Sequence, residues 1–361
     1  MQVGAYTAAA GLRRFLKVES APNFHIRASE WSAIVPISVP DYRSVRAMIT
    51  YHPWYDDFRP DAANRCLAEA AELGAGYIRL DVRWKDLLPD GNHVDEAAWT
   101  WYEHYLLAAR NWYGLEPLIV LYNPPNAILN SPISALLSAW TRYVDEVAKR
   151  TRHLCSVYQL LNEPNNPVYQ VFPLREATKA IVTGTAIIRQ CNPQAKVTIN
   201  VLAGLYGWER DLETLVRTTG SAIDIVGLDY YPGTWTLSSD SESTSWDRFT
   251  DRIASIQTRL NKRPVAILET GYATNVGRWR GEDQQVRYLL TLKDAVKRWD
   301  KAMGADGPVF LGVHELSDGD TGAFLDPEAH FGLLTSTSRR RKAGFEAARQ
   351  LFRSLQRRAA E

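Results

Sequence analysis

Short apolar runs alternate with amphipathic helical patterns along most of this chain, and the alternation limits the folds open to it. Eight apolar runs stand out, and the segment after each has the apolar spacing of a helix that covers one face of its neighbours. We predict strands at 47–51, 77–82, 117–122, 157–161, 196–201, 223–228, 265–268 and 309–313. The predicted helices are 61–73, 96–113, 131–150, 174–190, 208–217, 244–260, 282–303 and 341–357.

The spacing of these units favours a closed barrel. Successive strands start about 37 residues apart, which is the size of one strand–helix repeat. The strands are nearly continuous apolar runs, as is typical of parallel strands buried on both faces. A doubly wound open sheet is the alternative, but no glycine-rich phosphate turn follows the first strand. We therefore predict a single (β/α)8 TIM barrel over residues 46–361, preceded by a short, partly ordered N-terminal extension, residues 1–45.

Composition argues against several classes of partner. The formal net charge of the 361 residues is +1, which gives no electrostatic reason to bind nucleic acid or an anionic membrane. No apolar run approaches the ~20 residues of a membrane span, and no secretory signal is visible. We therefore expect a cytoplasmic protein, or a secreted or periplasmic one if the sequence is truncated.

The three cysteines lie far apart, so we expect neither a disulfide framework nor structural zinc. The oligomeric state stays open.

A glutamate follows directly after, or one residue beyond, the end of two of the predicted strands. The run Val157–Leu161 is followed by Asn162 and Glu163, and the run that begins at Val265 leads into Glu269. In a parallel barrel the residues after each strand meet at the carboxyl end, and strands 4 and 7 lie nearly opposite each other. Two carboxyl groups across a barrel mouth suit glycosidic cleavage, in which one protonates the leaving oxygen and the other attacks or activates water.

Further polar and aromatic side chains follow the other strands, and we expect them at the same mouth. The candidates for substrate binding or support are Trp54, Arg79, Trp84, Tyr122, Asn123, Asn162, Asp229, Tyr231, Trp235 and His314. A charge late in a buried strand needs a partner, so Arg79 is expected to pair with Glu269. The three tryptophans can stack on sugar rings or simply pack the loops. His314 is expected to point inward, whereas Glu315 alternates towards the outer helices.

Other kinds of chemistry find less support in the sequence. No group of His, Asp and Glu residues has the i,i+4 or H-x-H spacing of a metal site, and no G-x-S-x-G elbow is present. The sequence therefore predicts no metal and no cofactor, and a carbohydrate as the partner molecule.

The strand-end motifs resemble those of the retaining glycoside hydrolases of clan A, which are (β/α)8 enzymes, from about residue 46 to the end. Asn162–Pro164 is similar to the strand-4 signature that carries the acid/base, and Ile267–Gly271 to the strand-7 nucleophile. The resemblance implies that Asn162 holds the sugar 2-hydroxyl and that Arg79 and Tyr231 support the nucleophile. Segments 73–81 and 330–334 are similar to the β-xylosidase-like and β-galactosidase-like branches, and 226–232 also to endo-galactanases.

Two positions depart from that family pattern. Asp229 stands where a histidine is common, and His314 stands where strand 8 usually provides a tryptophan beneath the sugar. The sequence therefore predicts a retaining hydrolase of β-linked glycosides or polysaccharides, with Glu163 as acid/base and Glu269 as nucleophile. The sugar, the linkage and endo or exo action stay open. Two alternatives also stay open, namely a carbohydrate-binding pseudoenzyme on the same barrel and an unrelated metal-dependent barrel enzyme.

Overall fold

The computed structural model describes residues 45–234, 242–260, 262–275, 280–303, 308–319, 326–336 and 339–359. Over these residues eight parallel strands form a closed barrel in sequence order, in which β8 pairs with β1. The strands are β1 Arg46–Tyr51, β2 Tyr77–Asp81, β3 Glu116–Leu121, β4 Val157–Leu160, β5 Lys196–Leu202, β6 Ile225–Asp229, β7 Val265–Thr270 and β8 Phe310–Val313. One long helix follows each strand, in order α1 Pro60–Leu73, α2 Glu96–Tyr113, α3 Ile133–Thr151, α4 Leu174–Cys191, α5 Trp208–Thr219, α6 Glu242–Arg259, α7 Glu282–Met303 and α8 Ala343–Ala359.

The predicted (β/α)8 barrel is confirmed, and no predicted boundary differs from the structure by more than two residues. The open-sheet alternative is wrong, because Ile49 of β1 lies in register with Val313 of β8 and closes the sheet. Short helical turns in the loops were not predicted; they are Pro53–Asp56, Trp84–Leu87, Asn126–Leu129, Gly220–Ala222 and Pro327–His330. The proposed extension, residues 1–45, lies almost wholly outside the described residues and stays a prediction.

Local sequence sets the helix ends. The carboxylate of Asp95 accepts hydrogen bonds from the amides of Ala97 and Ala98 and caps the start of α2. Gly114 caps the end of α2 and Gly74 caps the end of α1, both in the left-handed region that glycine adopts without steric cost. These signals explain why the alternation of runs in the sequence could be converted into element boundaries.

The interior of the barrel is filled with side chains below the mouth. Met48, Leu118, Leu268 and Phe310 belong to one buried apolar cluster contributed by several strands. Gly227 on β6 is part of this packing, since a Cβ there would meet the Leu268 side chain and the Ile199 carbonyl oxygen. A packed floor leaves the polar carboxyl ends of the strands as the place where a ligand can enter.

The last helix closes the outer layer against the first. Arg341, just before α8, pairs with Glu69 and Glu72 of α1, and Gln356 donates to the carbonyl oxygen of Gly74 at 2.8 Å. The three cysteines are free thiols. Among the described residues, no helix has both the length and the apolar character needed to cross a membrane.

Candidate active site

Glu163 and Glu269 meet at the carboxyl end of the barrel. One carboxylate oxygen of each, together with one of Asp229, lies within 4.8 Å of the other two. Both glutamates are buried, with 3% and 7% of their surface exposed. Carboxyl groups about 5–5.5 Å apart suit direct attack on a sugar, whereas a pair that must admit a water lies about 6.5–9.5 Å apart. The short separation here fits the first arrangement.

Three side chains surround the carboxylate of Glu269. Arg79 Nη2 lies 2.6 Å from Oε1, the pairing that the sequence predicts, and the hydroxyl of Tyr231 donates to Oε2 at 2.5 Å. His314 Nδ1 lies 3.8 Å from Oε2. Burial by itself would raise the pKa of Glu269, but Arg79 above all, with His314 and Tyr231, holds that pKa below its ordinary value. Glu269 is therefore kept as a carboxylate.

The environment of Glu163 has the opposite effect. Burial, and then the nearby charge of Glu269, raises the pKa of Glu163 to about 7, although hydrogen bonds from Asn166 and Asp229 oppose the change. The Asn166 amide donates to Oε2 of Glu163 at 2.7 Å. Two neighbouring carboxyl groups whose pKa values are driven apart can serve as a proton donor and an ionised nucleophile at the same pH.

The chain turns sharply where β4 delivers these groups. Leu161 and Glu163 both adopt left-handed backbone angles, with φ of 65° and 42°. Such conformations cost about 1–3 kcal/mol each for residues other than glycine, so the surroundings must hold them. The amide of Leu161 donates to the carbonyl oxygen of Leu121 at 2.9 Å, and the amide of Glu163 donates to Asn200 Oδ1 at 2.8 Å. These bonds tie the turn to β3 and β5 and fix the direction of the Glu163 side chain.

The amide of Asn162 is oriented by three donors. Its Oδ1 accepts from Arg79 Nη2 at 3.1 Å, from Gln159 Nε2 at 3.2 Å and from Asn200 Nδ2 at 2.8 Å. With Oδ1 occupied in this way, Nδ2 is the group that Asn162 can offer to a ligand. The position matches the role in binding a sugar hydroxyl that the family resemblance implies, and that role stays a prediction.

Gln159 and Asn200 are site residues that the sequence analysis missed. Both are fully buried, and each lies inside a strand whose other residues are mostly apolar or aromatic. Gln159 also accepts from Arg79 Nε at 3.0 Å, and Asn200 donates to Asp229 Oδ2. A polar side chain in the middle of a strand buried on both faces must have a polar partner. That signal was present in the sequence and would have found both residues.

Asp229 lies fully buried between the glutamates and Asn200. Burial, followed by the charges of Glu269 and Glu163, raises the pKa of Asp229 well above its ordinary value. The group at this position therefore carries a proton more readily than an ordinary aspartate and can hydrogen bond to Glu163. It lies where the sequence analysis placed it, at the end of β6.

His314 directly follows β8 and its side chain points inward, as predicted. Its ring lies 5.9 Å from that of Tyr231 and 5.4 Å from that of Phe331. Its Nε2 atom lies 3.9 Å from a carboxylate oxygen of Glu328, a residue that the sequence analysis did not select. The prediction for Glu315 was wrong. Its side chain is fully buried with Oε2 3.5 Å from His52 Nε2, because the chain after β8 leaves the regular strand and no longer alternates.

The remaining predicted residues take different positions. Trp54 is half-buried beside the His52 ring, and the guanidinium of Arg83 lies 4.3 Å from the centre of the Trp54 ring. Tyr122 and Asn123 are half-buried at the end of β3. Trp84 is fully buried and stacks on Tyr143, so its indole offers no face to a sugar, and the platform interpretation of this residue is corrected. Trp235 lies outside the described residues.

Two groups of described residues have the atoms to hold a cation. One is His52, His314 and Glu315, and the other is the set of three carboxyl groups already described. The prediction of no metal rested on spacing along the chain, which cannot detect ligands brought together from different strands. In the second group Arg79 already neutralises Glu269, which leaves less reason for a metal ion there.

The fold and the strand-end carboxyl groups define a (β/α)8 barrel with paired glutamates at its mouth. No family model and no curated protein matches the sequence. Solved structures do match. β-Glycosidase BGL167 superposes with a TM-score of 0.70 at 18% identity, over 88% of this chain and 97% of that one. The exo-β-1,4-mannosidase Op5Man5 from Opitutaceae bacterium strain TAV5 gives 0.71 at 16% identity, over 90% of this chain and 64% of that one.

A third similar structure is GH5_18 from Streptomyces cattleya in complex with GlcNAc, with a TM-score of 0.69 at 16% identity. It is matched over 87% of this chain and 81% of that one. At these identities the likeness establishes the shared barrel, and the chemistry must be argued from the residues of this chain.

Proposed function

We propose that this protein is a retaining glycoside hydrolase that cleaves β-linked glycosides or polysaccharides. The observation that carries the proposal is the short separation of Glu163 and Glu269, combined with pKa values that diverge in opposite directions. The barrel shared with three glycosidases supports it, and so does the carbohydrate named as the ligand of one of them.

In the first step Glu163, in its protonated form, gives its proton to the oxygen of the leaving group. Glu269 attacks the anomeric carbon from the opposite side, and the glycosidic C–O bond breaks as the bond to the glutamate oxygen forms. In the second step Glu163 removes a proton from a water molecule, whose oxygen displaces Glu269. Two inversions restore the original anomeric configuration.

The change of role at Glu163 follows from the electrostatics of the pair. While Glu269 is ionised, its charge favours the protonated form of Glu163. Once Glu269 is esterified to the sugar, that charge is gone and the pKa of Glu163 falls. The residue is then ionised when a base is required. The same two carboxyl groups therefore provide an acid and a base in the correct order.

The other residues hold this pair in place. Arg79 and Tyr231 fix both oxygens of Glu269 and keep it ionised before attack. Asn162 Nδ2 is assigned to the 2-hydroxyl of the sugar, where a hydrogen bond would strengthen as the oxocarbenium-like transition state forms. His314 would form a smaller and more polar floor beneath the sugar than an indole.

Chemical rescue with azide tests the assignment. Glu163→Ala should still form the intermediate from a dinitrophenyl β-glycoside, because this leaving group departs without a proton. Hydrolysis should then stall until azide attacks and yields a β-glycosyl azide. Glu269→Ala should be inactive, and azide entering from the opposite face should yield the α-azide. NMR of the product identifies the anomer.

Exchange of the two anomers would mean that the glutamates have the reverse roles. Unchanged activity in both variants would refute the proposal. A carbohydrate-binding pseudoenzyme would bind sugars but release none from any polysaccharide or aryl glycoside, and a metal-dependent enzyme would lose activity with a chelator.

A further inference from the structure

A group of polar side chains next to Glu269 takes no part in the proton transfers or the attack of the proposed reaction, although one member, His314, also lies beneath the sugar. We call it the acceptor cluster, and it consists of His52, His314, Glu315 and Glu328. The two histidines and Glu315 are at most 7% exposed, and one ligand atom from each lies within 4.8 Å of the others. Glu328 lies at the open side of the cluster, with 39% of its side chain exposed and an oxygen 3.9 Å from His314 Nε2.

Most polar atoms of the acceptor cluster lack a hydrogen-bond partner. Among the described residues this holds for Nδ1 of His52, both ring nitrogens of His314 and both carboxylate oxygens of Glu315. The nearest approaches, 3.5 Å between His52 and Glu315 and 3.9 Å between His314 and Glu328, are too long for a good hydrogen bond. Buried polar groups are almost always satisfied, so this concentration of unpartnered atoms indicates a binding site for a polar ligand.

The imbalance of donors and acceptors indicates what that ligand must offer. Burial above all lowers the pKa of His314 to about 4 and that of His52 well below its usual value, so each ring is neutral and carries a single N–H. Each neutral ring also has one acceptor nitrogen. Glu315 and Glu328 add carboxyl oxygens, and Asp81 Oδ2 lies 3.6 Å from His52 Nδ1. Burial, together with neighbouring carboxyl groups, raises the pKa of Glu315 well above its ordinary value and that of Glu328 to about 8, although Lys342 opposes the change at Glu315. Even with both carboxyl groups protonated, acceptors outnumber donors, and a positive charge on the ligand would restore the ionised form of both groups.

We propose that the acceptor cluster binds the ammonium group of an amino sugar, so that the substrates are glycosides carrying a free amine on the ring held over Glu269. This inference rests on the proposed function. An ammonium brings three N–H donors and no acceptor, together with a positive charge, which is what the cluster lacks. A hydroxyl brings one donor and adds two further acceptor lone pairs, so it fits the cluster less well.

A metal ion is a weaker occupant. His314 Nδ1 lies only 3.8 Å from Glu269, and Arg79 lies 2.6 Å from the same carboxylate. A divalent ion at His314 would therefore sit beside a guanidinium and in the space that the sugar needs. An ammonium carried by the substrate enters and leaves with it through the side on which Glu328 is exposed.

Matched substrate pairs test the inference. The pairs are aryl β-glycosides of glucose, galactose and mannose and their 2-amino-2-deoxy and 6-amino-6-deoxy counterparts. The measured quantity is the ratio of kcat/KM for the amino substrate to that for its hydroxyl partner, compared between variants so that intrinsic reactivity cancels. Glu328→Gln should lower this ratio about 10- to 100-fold in at least one pair, since it replaces an ion pair between carboxylate and ammonium by a hydrogen bond to an uncharged amide. Glu103→Gln on α2, outside the mouth, should leave the ratio unchanged.

The outcomes separate this inference from the proposed function. Turnover that requires Glu269 but a ratio that Glu328→Gln does not change would overturn the amino-sugar inference and leave the hydrolase intact. If no substrate is cleaved, calorimetry with glucosamine and galactosamine against glucose and galactose decides. Binding of an amino sugar that is lost in Glu328→Gln supports the cluster, and equal or absent binding overturns it. Stoichiometric binding of Zn²⁺ or Mn²⁺ that is lost in His314→Ala would also overturn it, because the cluster would then be a metal site.

Discussion

The pKa of Glu163 should fall when the charge of Glu269 is removed, and the structure gives the size of the change. The whole increase at Glu163 runs from 4.5 to about 7, and burial is its largest cause. The charge of Glu269 is the second cause, and Asn166, Asp229 and Arg79 oppose both. Coulomb's law at 4.8 Å, the upper limit for the nearest oxygens of the two groups, gives an interaction of about 0.9 kcal/mol in water and about 3.5 kcal/mol at an effective dielectric of 20. These limits correspond to about 0.6 and 2.5 pH units. We expect Glu269→Gln to lower the pKa of Glu163 by about one pH unit.

The measurement is a ¹³C NMR titration of protein labelled at the glutamate side-chain carboxyl carbon, from about pH 4 to pH 9. Glu163→Gln in the same background assigns the signal, and Glu103→Gln provides a control in which a distant carboxyl group is neutralised. Since Asp229 interacts with both glutamates, the titration is repeated with Asp229→Asn, which removes the third member of the coupled set.

An unchanged or increased pKa of Glu163 in Glu269→Gln would refute this reasoning. It would mean that burial alone sets the proton affinity of Glu163, and that forming the glycosyl-enzyme would not convert the acid into a base. A fall of more than about 2.5 pH units would show that the effective dielectric between the two carboxyl groups is below 20.

The pH dependence of kcat/KM should be bell-shaped. The rate constant should fall above about pH 7, where Glu163 loses its proton, and also at a pH below the ordinary pKa of a glutamate, where Glu269 gains one. With a dinitrophenyl substrate the alkaline fall should disappear from the first step. His314→Trp should lose activity on the natural substrate, and full activity in that variant would mean that His314 does not line the site. Asn200→Ala should lower the free energy of unfolding by about 2–3 kcal/mol and reduce kcat at least tenfold, because it leaves buried groups without partners. Urea denaturation checks this, with Thr198→Val on the same strand as the control.

The barrel and the positions of the main polar groups could be predicted from the sequence because both depend on local order. Each strand is a short apolar run, and in a closed parallel barrel the residue that follows a strand must lie at the mouth. That rule was enough to place Glu163, Glu269 and Arg79 together. The motif comparison added the roles of Asn162 and Tyr231, which the local pattern alone does not provide.

What could not be predicted depends on contacts between strands or on departures from regular geometry. Trp84 follows β2 like a rim residue, but the short helical turn that begins there directs its indole into the core against Tyr143. Glu315 follows His314 by one position, and only the path of the loop after β8 shows that it lies against His52. Strict alternation assumes a regular strand, and β8 ends at Val313.

A single amide oxygen, Oδ1 of Asn162, receives donors that come from β2, β4 and β5. A site built in this way constrains how the protein can diverge. Exchange of Gln159 or Asn200 for an apolar residue would release the Asn162 amide to rotate, so these positions should vary together rather than singly. Transfer of the two glutamates to another barrel would fail for the same reason unless the buried amides travel with them. The functional unit is therefore the whole network of hydrogen-bonded polar side chains on three strands, and not the two glutamates alone.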